Sequence, residues 1–81
     1  MSFFDDLSRG SKYHEARGLS DGGLHITVAD IDDDECLRGF QNLIAEAENH
    51  GYHVTNKHKY TQRGLPGWRG PLYDMADLLP D

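Results

Sequence analysis

The run from Leu24 to Tyr60 changes its hydrophobic period twice, which leaves the chain few folds to choose from. In LHITVADI the residues alternate: Leu24, Ile26 and Val28 point one way, and His25, Thr27 and Ala29 the other, as in a half-buried strand. In DDECLRGFQNLIAEAENH the step lengthens. Leu37, Phe40, Leu43, Ile44 and Ala47 fall three and four apart on one helical face, leaving Arg38, Gln41, Asn42, Glu46 and Glu48 on the wet side. Asp32 reads as the N-cap, with Glu35 three positions on as the partner in a capping box. Gly51 is the left-handed stop, and His50 places an imidazole at the helix C-terminus, where its charged form is favoured. YHVTNKHKY then returns to alternation, with Tyr52 and Val54 turned to the same core. The spacing predicts strand, helix, strand, and the helix supplies the crossover that a parallel pairing of the two strands requires.

A two-stranded sheet is marginal by itself, so the flanking segments are expected to complete it. SKYHEARGL reads as a further strand, joined to Leu24 through the turn residues SDGG. TQRGLPGWRGP is rich in glycine and proline and reads as a loop over 61–70. In PLYDMADLLP, Leu72, Met75, Ala76 and Leu79 form a one-sided stripe between Pro71 and Pro80, which predicts a short helix over 71–79. The expected fold is α+β: one domain over 1–81, with a two- to four-stranded sheet, one principal helix across it and a short helical C-terminus. Residues 1–10 are expected as a mobile end, although SFFDDL also has the pattern of a short amphipathic helix.

With 81 residues the chain buries only about 60–65% of the surface that its unfolded form exposes, so the core is small. One cysteine, Cys36, excludes an internal disulfide and a cysteine-based zinc cage, and fits a reducing, cytoplasmic setting. Its place in the first helical turn lowers a thiol pKa, but the neighbouring carboxylates oppose this. No apolar run approaches the roughly 20 residues that cross a bilayer, and the start MSFFDDLSRG lacks the layout of a signal peptide. No nucleophile elbow and no phosphate-cradling glycine loop is present, so the expectation is a protein that is not an enzyme and has no cofactor.

The net charge of −6 is unevenly spread. Residues 1–50 hold eleven acids against four bases, 51–70 hold four bases and no acid, and 71–81 hold three acids and no base. Asp30, Asp32, Asp33, Asp34 and Glu35 crowd the start of the helix. Three readings stay open for them: capping with a solvated surplus, an acidic docking face that Glu46 and Glu48 extend, or a hard-cation site. The spacing lacks the glycine and the distal glutamate of a calcium loop.

Lys57, Lys59, Arg63 and Arg69 interleave with Tyr52, Tyr60 and Trp68, the composition of a single-stranded nucleic-acid surface. The plain alternative is a polar strand and a loop pinned by Trp68. Five histidines, His14, His25, His50, His53 and His58, read first as surface residues; His25 and His53 could share a sheet face and bind zinc, but no metal is expected. Phe3 and Phe4 at one end, and Trp68 in the loop, are the candidate apolar anchors.

From Leu24 to Tyr60, a strand, an acid-capped Leu/Ala helix, a glycine and a second strand, the layout resembles small phage-encoded proteins that inhibit host machinery, including anti-CRISPR proteins and inhibitors of RNA polymerase. The resemblance implies a stoichiometric binder that blocks a basic, nucleic-acid-handling surface of a partner protein in the host cytoplasm. The expected function is therefore that of a small acidic inhibitor or adaptor. Its acidic face is Asp30, Asp32, Asp33, Asp34, Glu35, Glu46 and Glu48, and its anchors are Phe3, Phe4 and Trp68. The alternative is a nucleic-acid-binding module that uses Lys57, Lys59, Tyr60, Arg63, Trp68 and Arg69. No membrane contact is expected, and an unfinished sheet edge allows a homodimer.

Overall fold

A computed structural model describes residues 2–80; Met1 and Asp81, the two ends of the expected domain, lie outside it. Six elements follow in order: α1 (Phe3–Ser8), β1 (His14–Gly18), β2 (Leu24–Val28), α2 (Asp34–Asn49), β3 (Tyr52–Tyr60) and β4 (Leu72–Pro80). The strands form one antiparallel sheet in the order β1-β2-β4-β3. The class is α+β, as the periods predicted.

The direct parallel pairing that the α2 crossover allows does not occur. β2 and β3 run in the same direction, because each is antiparallel to β4, and β4 lies between them. The C-terminal helix over 71–79 is not formed either, and its residues are β4. The reason is tertiary. With β2 and β3 held apart by the α2 crossover, the backbone N–H and C=O groups that they turn toward each other need a strand between them. In strand geometry Leu72, Ala76 and Leu78 are buried and Met75 and Leu79 are not, so the helical stripe is split between two faces. Pro80 lies past Leu78, where the pairing with β2 ends, so β4 is an edge there and tolerates it.

The turn from β1 to β2 is closed by Leu19 N–H to Gly23 C=O at 2.9 Å and by Gly23 N–H to Asp21 Oδ1 at 3.1 Å. Gly23 has no room for a side chain: a Cβ would lie 2.5 Å from the Leu78 carbonyl oxygen. The α2 N-cap is Asp33, not Asp32. Asp33 Oδ1 accepts from the amides of Glu35 and Cys36, so the capping box with Glu35 is not built. Gly51 ends the helix at φ 89° as expected.

α2 packs on one face of the sheet. Phe40, Ile44 and Ala47 meet Leu24, Ile26, Ala76 and Leu78, with Leu7 of α1 joining them and Tyr52 and Val54 alongside. A second cluster forms where the loop after β3 folds back, joining Leu37, Tyr60, Leu65 and Leu72, with Trp68 packed against it. Gln41, assigned to the wet side, is buried.

Candidate functional site

The residues at the start of α2 mostly satisfy one another and the neighbouring backbone. Asp30 Oδ1 accepts from the Asp32 amide at 3.0 Å, and Asp33 caps the helix. Asp34 meets the Arg63 guanidinium at 2.6 Å, while Arg63 also donates to the Ile31 carbonyl at 3.0 Å. The Asp34 carboxylate holds the Arg63 pKa above its usual range. Glu35 lies 3.6 Å from Lys12. Asp32 alone of the five is exposed without a side-chain hydrogen bond or ion pair among the described residues. Glu46 and Glu48 lie about 16–21 Å along α2 from this loop, at 1.5 Å per residue, so they extend no single acidic patch. No group of three or more His, Cys, Asp or Glu able to hold a metal ion occurs among the described residues.

The basic and aromatic residues are likewise dispersed. Tyr60 is buried in the second cluster and Trp68 is half-buried against it. Arg63 is committed to the acidic loop. Lys57 sits 5.0 Å over the ring of Tyr73, and Lys59 and Arg69 are exposed. Cys36 is buried, with its thiol 3.4 Å from the Tyr13 carbonyl oxygen and accepting from the Asp30 amide. His25 and His53 are not brought together with a third ligand: His25 binds Asp77 and His53 is exposed.

The structure instead gathers residues between the two helices. α1 is docked by a buried histidine. His14 Nε2–H donates to the Leu7 carbonyl at 2.9 Å, which leaves Nδ1 to meet the Ser11 hydroxyl at 2.7 Å. Phe3 stacks on His50 with centroids 4.0 Å apart, and Phe4 lies near the ring of Tyr52 at 6.3 Å. Farther along α2, Tyr13 lies flat over Gly39, where a Cβ would come within 2.6 Å of its ring. Between these two contacts runs a groove of about 440 Å³, with Phe3, Leu7, Tyr13 and Leu43 as its apolar lining and Asp6, Asn42 and Glu46 as polar lining. Asp6 pairs with Arg9 at 3.0 Å, whereas Glu46 is exposed and makes no ion pair among the described residues.

Of the expected site residues, Phe3 and Glu46 line this groove; Phe4 does not, and Trp68 belongs to the second cluster. Sequence reasoning missed Tyr13, Leu43 and Asn42 as its walls. One signal for it was present. Gly39 interrupts an otherwise good helix former run, and an isolated helical glycine points to a close approach by something else.

Comparison with family models, with curated proteins and with solved structures returns no match for this chain. No helix among the described residues is long and apolar enough to cross a membrane.

Proposed function

We propose that the protein is a small protein-binding inhibitor or adaptor that takes a basic, amphipathic segment of its partner into the groove between α1 and α2. The observation that carries this is the groove itself: half-buried Phe3, Tyr13 and Leu43 supply contact area next to the carboxylate of Glu46, which has no ion pair among the described residues. An apolar helix face with lysine or arginine on its border complements that lining in shape and charge. The net charge of −6 assists the approach of such a partner. Basic amphipathic segments are common on nucleic-acid-handling proteins, so this reading keeps the partner class that the resemblance to phage-encoded inhibitors implies. It moves the contact from the acidic loop, where every side chain but that of Asp32 is engaged, to the helix pair.

The test uses the folded protein as bait for a displayed library of helical peptides. Enrichment of basic amphipathic sequences is expected, with affinity lost by more than tenfold in Leu43→Asp and in Glu46→Lys and kept in Asp32→Lys. Peptides that bind all three variants equally, or none enriched at all, would remove the groove from consideration. Loss in Asp32→Lys alone would return the contact to the acidic loop. Asp33→Lys is a poor choice for that arm, because Asp33 caps α2.

A further inference from the structure

The face of the sheet turned away from α2 carries one row that the strand register lines up. Arg17 of β1 pairs with His25 of β2, His25 with Asp77 of β4, and Asp77 with Thr55 of β3. Residues paired this way share a face. Within the row, His25 Nδ1 lies 2.6 Å from Asp77 Oδ1, and the Asn56 side chain donates to Asp77 Oδ2 at 2.9 Å. Asn56 has φ 51°, the one positive value at a non-glycine among the described residues, in a stretch of β3 where the register slips between Thr55 and His58. Bulges of this kind re-aim side chains, and the left-handed region is one that few residues besides glycine, asparagine and aspartate enter. Here the irregularity aims Asn56 at the carboxylate that orients His25.

That orientation has a chemical consequence. The hydrogen bonds from Asn56 and then His25, with the nearby Arg17 charge, hold Asp77 below the usual carboxylate range. An ionised carboxylate only accepts hydrogen bonds, so Nδ1 of His25 keeps its proton and Nε2 is the nitrogen left for other partners. Nε2 has no hydrogen bond among the described residues. Beside it lies a shallow depression of about 440 Å³ bounded by Glu15, Arg17, His25 and Thr27. Arg17 is exposed and forms no ion pair among the described residues.

We propose that this depression binds a phosphate group, held between the Arg17 guanidinium and the Nε2–H of His25, with the Thr27 hydroxyl alongside. Guanidinium and imidazolium donors on adjacent strands suit a tetrahedral oxyanion. Glu15 opposes it, and a dianionic phosphate, more than a carboxylate, offsets that repulsion by engaging both cations. Asp77 and Asn56 act as positioning residues: Asp77 binds the imidazole, Asn56 binds Asp77, and the anion meets neither. The Nε2–H donor is that of the imidazolium, whose Nδ1–H is already bound to Asp77. The charges facing it are Arg17 and Glu15 from β1 and Asp77 from β4, with neutral Thr55 and Asn56 from β3.

The experiment is an NMR titration of the full chain with inorganic phosphate at constant ionic strength, following the His25 imidazole and the Arg17 Nε–H, with 5′-AMP and acetate in parallel. A saturable shift at both groups is expected, absent in Arg17→Ala and weakened about tenfold in Asn56→Ala. Tighter binding of AMP than of inorganic phosphate would assign the group to a phosphorylated small molecule, and equal binding to free phosphate. Amide spectra of Asn56→Ala report whether the fold is intact. The proposal is overturned by shifts that do not saturate, by equal binding of acetate, or by full phosphate affinity in a folded Arg17→Ala. Neither groove variant, Leu43→Asp or Glu46→Lys, should alter it, so this site and the helix groove stand or fall separately.

Discussion

Pairing between β2 and β4 runs only as far as Thr27 and Met75, and just beyond it Gln41 reaches down from α2 to Tyr73. Its carboxamide oxygen accepts the Tyr73 N–H at 2.9 Å and its nitrogen donates to the Tyr73 C=O at 2.7 Å. The same nitrogen is 3.2 Å from the Leu37 carbonyl. One side chain thus does for β4 what a further residue of β2 would have done, which explains why a glutamine is buried on the apolar side of α2. Replacing it by leucine keeps the volume and strands both backbone groups. An unsatisfied group costs about 1–3 kcal/mol, so urea denaturation of Gln41→Leu should show a loss of about 2–3 kcal/mol; a loss under about 0.5 kcal/mol would mean that water replaces the amide without penalty. In the sequence, Gln41 followed the helical period onto the polar face. The helical wheel sees only the helix, and the partner that buries Gln41 lies 32 residues away. The N-cap shows the reverse case. Asp32, Asp33 and Asp34 are chemically equivalent as caps, so the sequence placed the helix start correctly to within one residue and backbone geometry chose Asp33.

At the scale of elements, β4 is the piece that the sequence misplaced, and it is also the piece that joins the sheet. The stripe at Leu72, Met75, Ala76 and Leu79 satisfies a helical period, and only the vacancy between β2 and β3 makes it a strand. The local signals for β2, α2 and β3 were stronger, because strict alternation and a five-residue apolar stripe each left a single consistent reading. β4 carries two carboxylates that tie it to its neighbours: Asp77 to His25 of β2 and Asn56 of β3, and Asp74 to His58 of β3 at 2.6 Å. Asp77 gives this a pH signature. Its folded pKa is lowered, first by Asn56 and then by His25, so its contribution is present above the unfolded aspartate value of about 3.9 and disappears as pH falls through the lower folded value. Chemical denaturation of the wild type against Asp77→Asn should therefore show a stability gap that is steady above about pH 5 and closes on acidification below about pH 4. A gap that persists undiminished at the lowest pH would assign the effect to packing and not to charge.

Taken whole, the molecule has two unlike sides. The sheet face turned from α2 carries Arg17, His25 and Asp77 in one row, with Glu15 and Thr27 in the next. The basic segment 51–70 is divided: Arg63 in the loop is bound to Asp34 at the start of α2, and Lys57 and Lys59 lie in β3. That strand is also a sheet edge of nine residues, and a long free edge invites pairing with another chain. Three features work against such pairing: the register slip between Thr55 and His58, the left-handed Asn56, and the cations Lys57 and Lys59. The homodimer that an open edge allows is accordingly disfavoured at β3 by the same residues that shape the histidine row. Light scattering on size-exclusion eluates should find the wild type monomeric and the Lys57→Val, Lys59→Val double variant shifted to dimers or larger species, increasingly so at higher concentration. A wild type that elutes as a dimer, and becomes monomeric when Asn56→Gly relaxes the bulge, would instead show that the irregular strand is built for pairing.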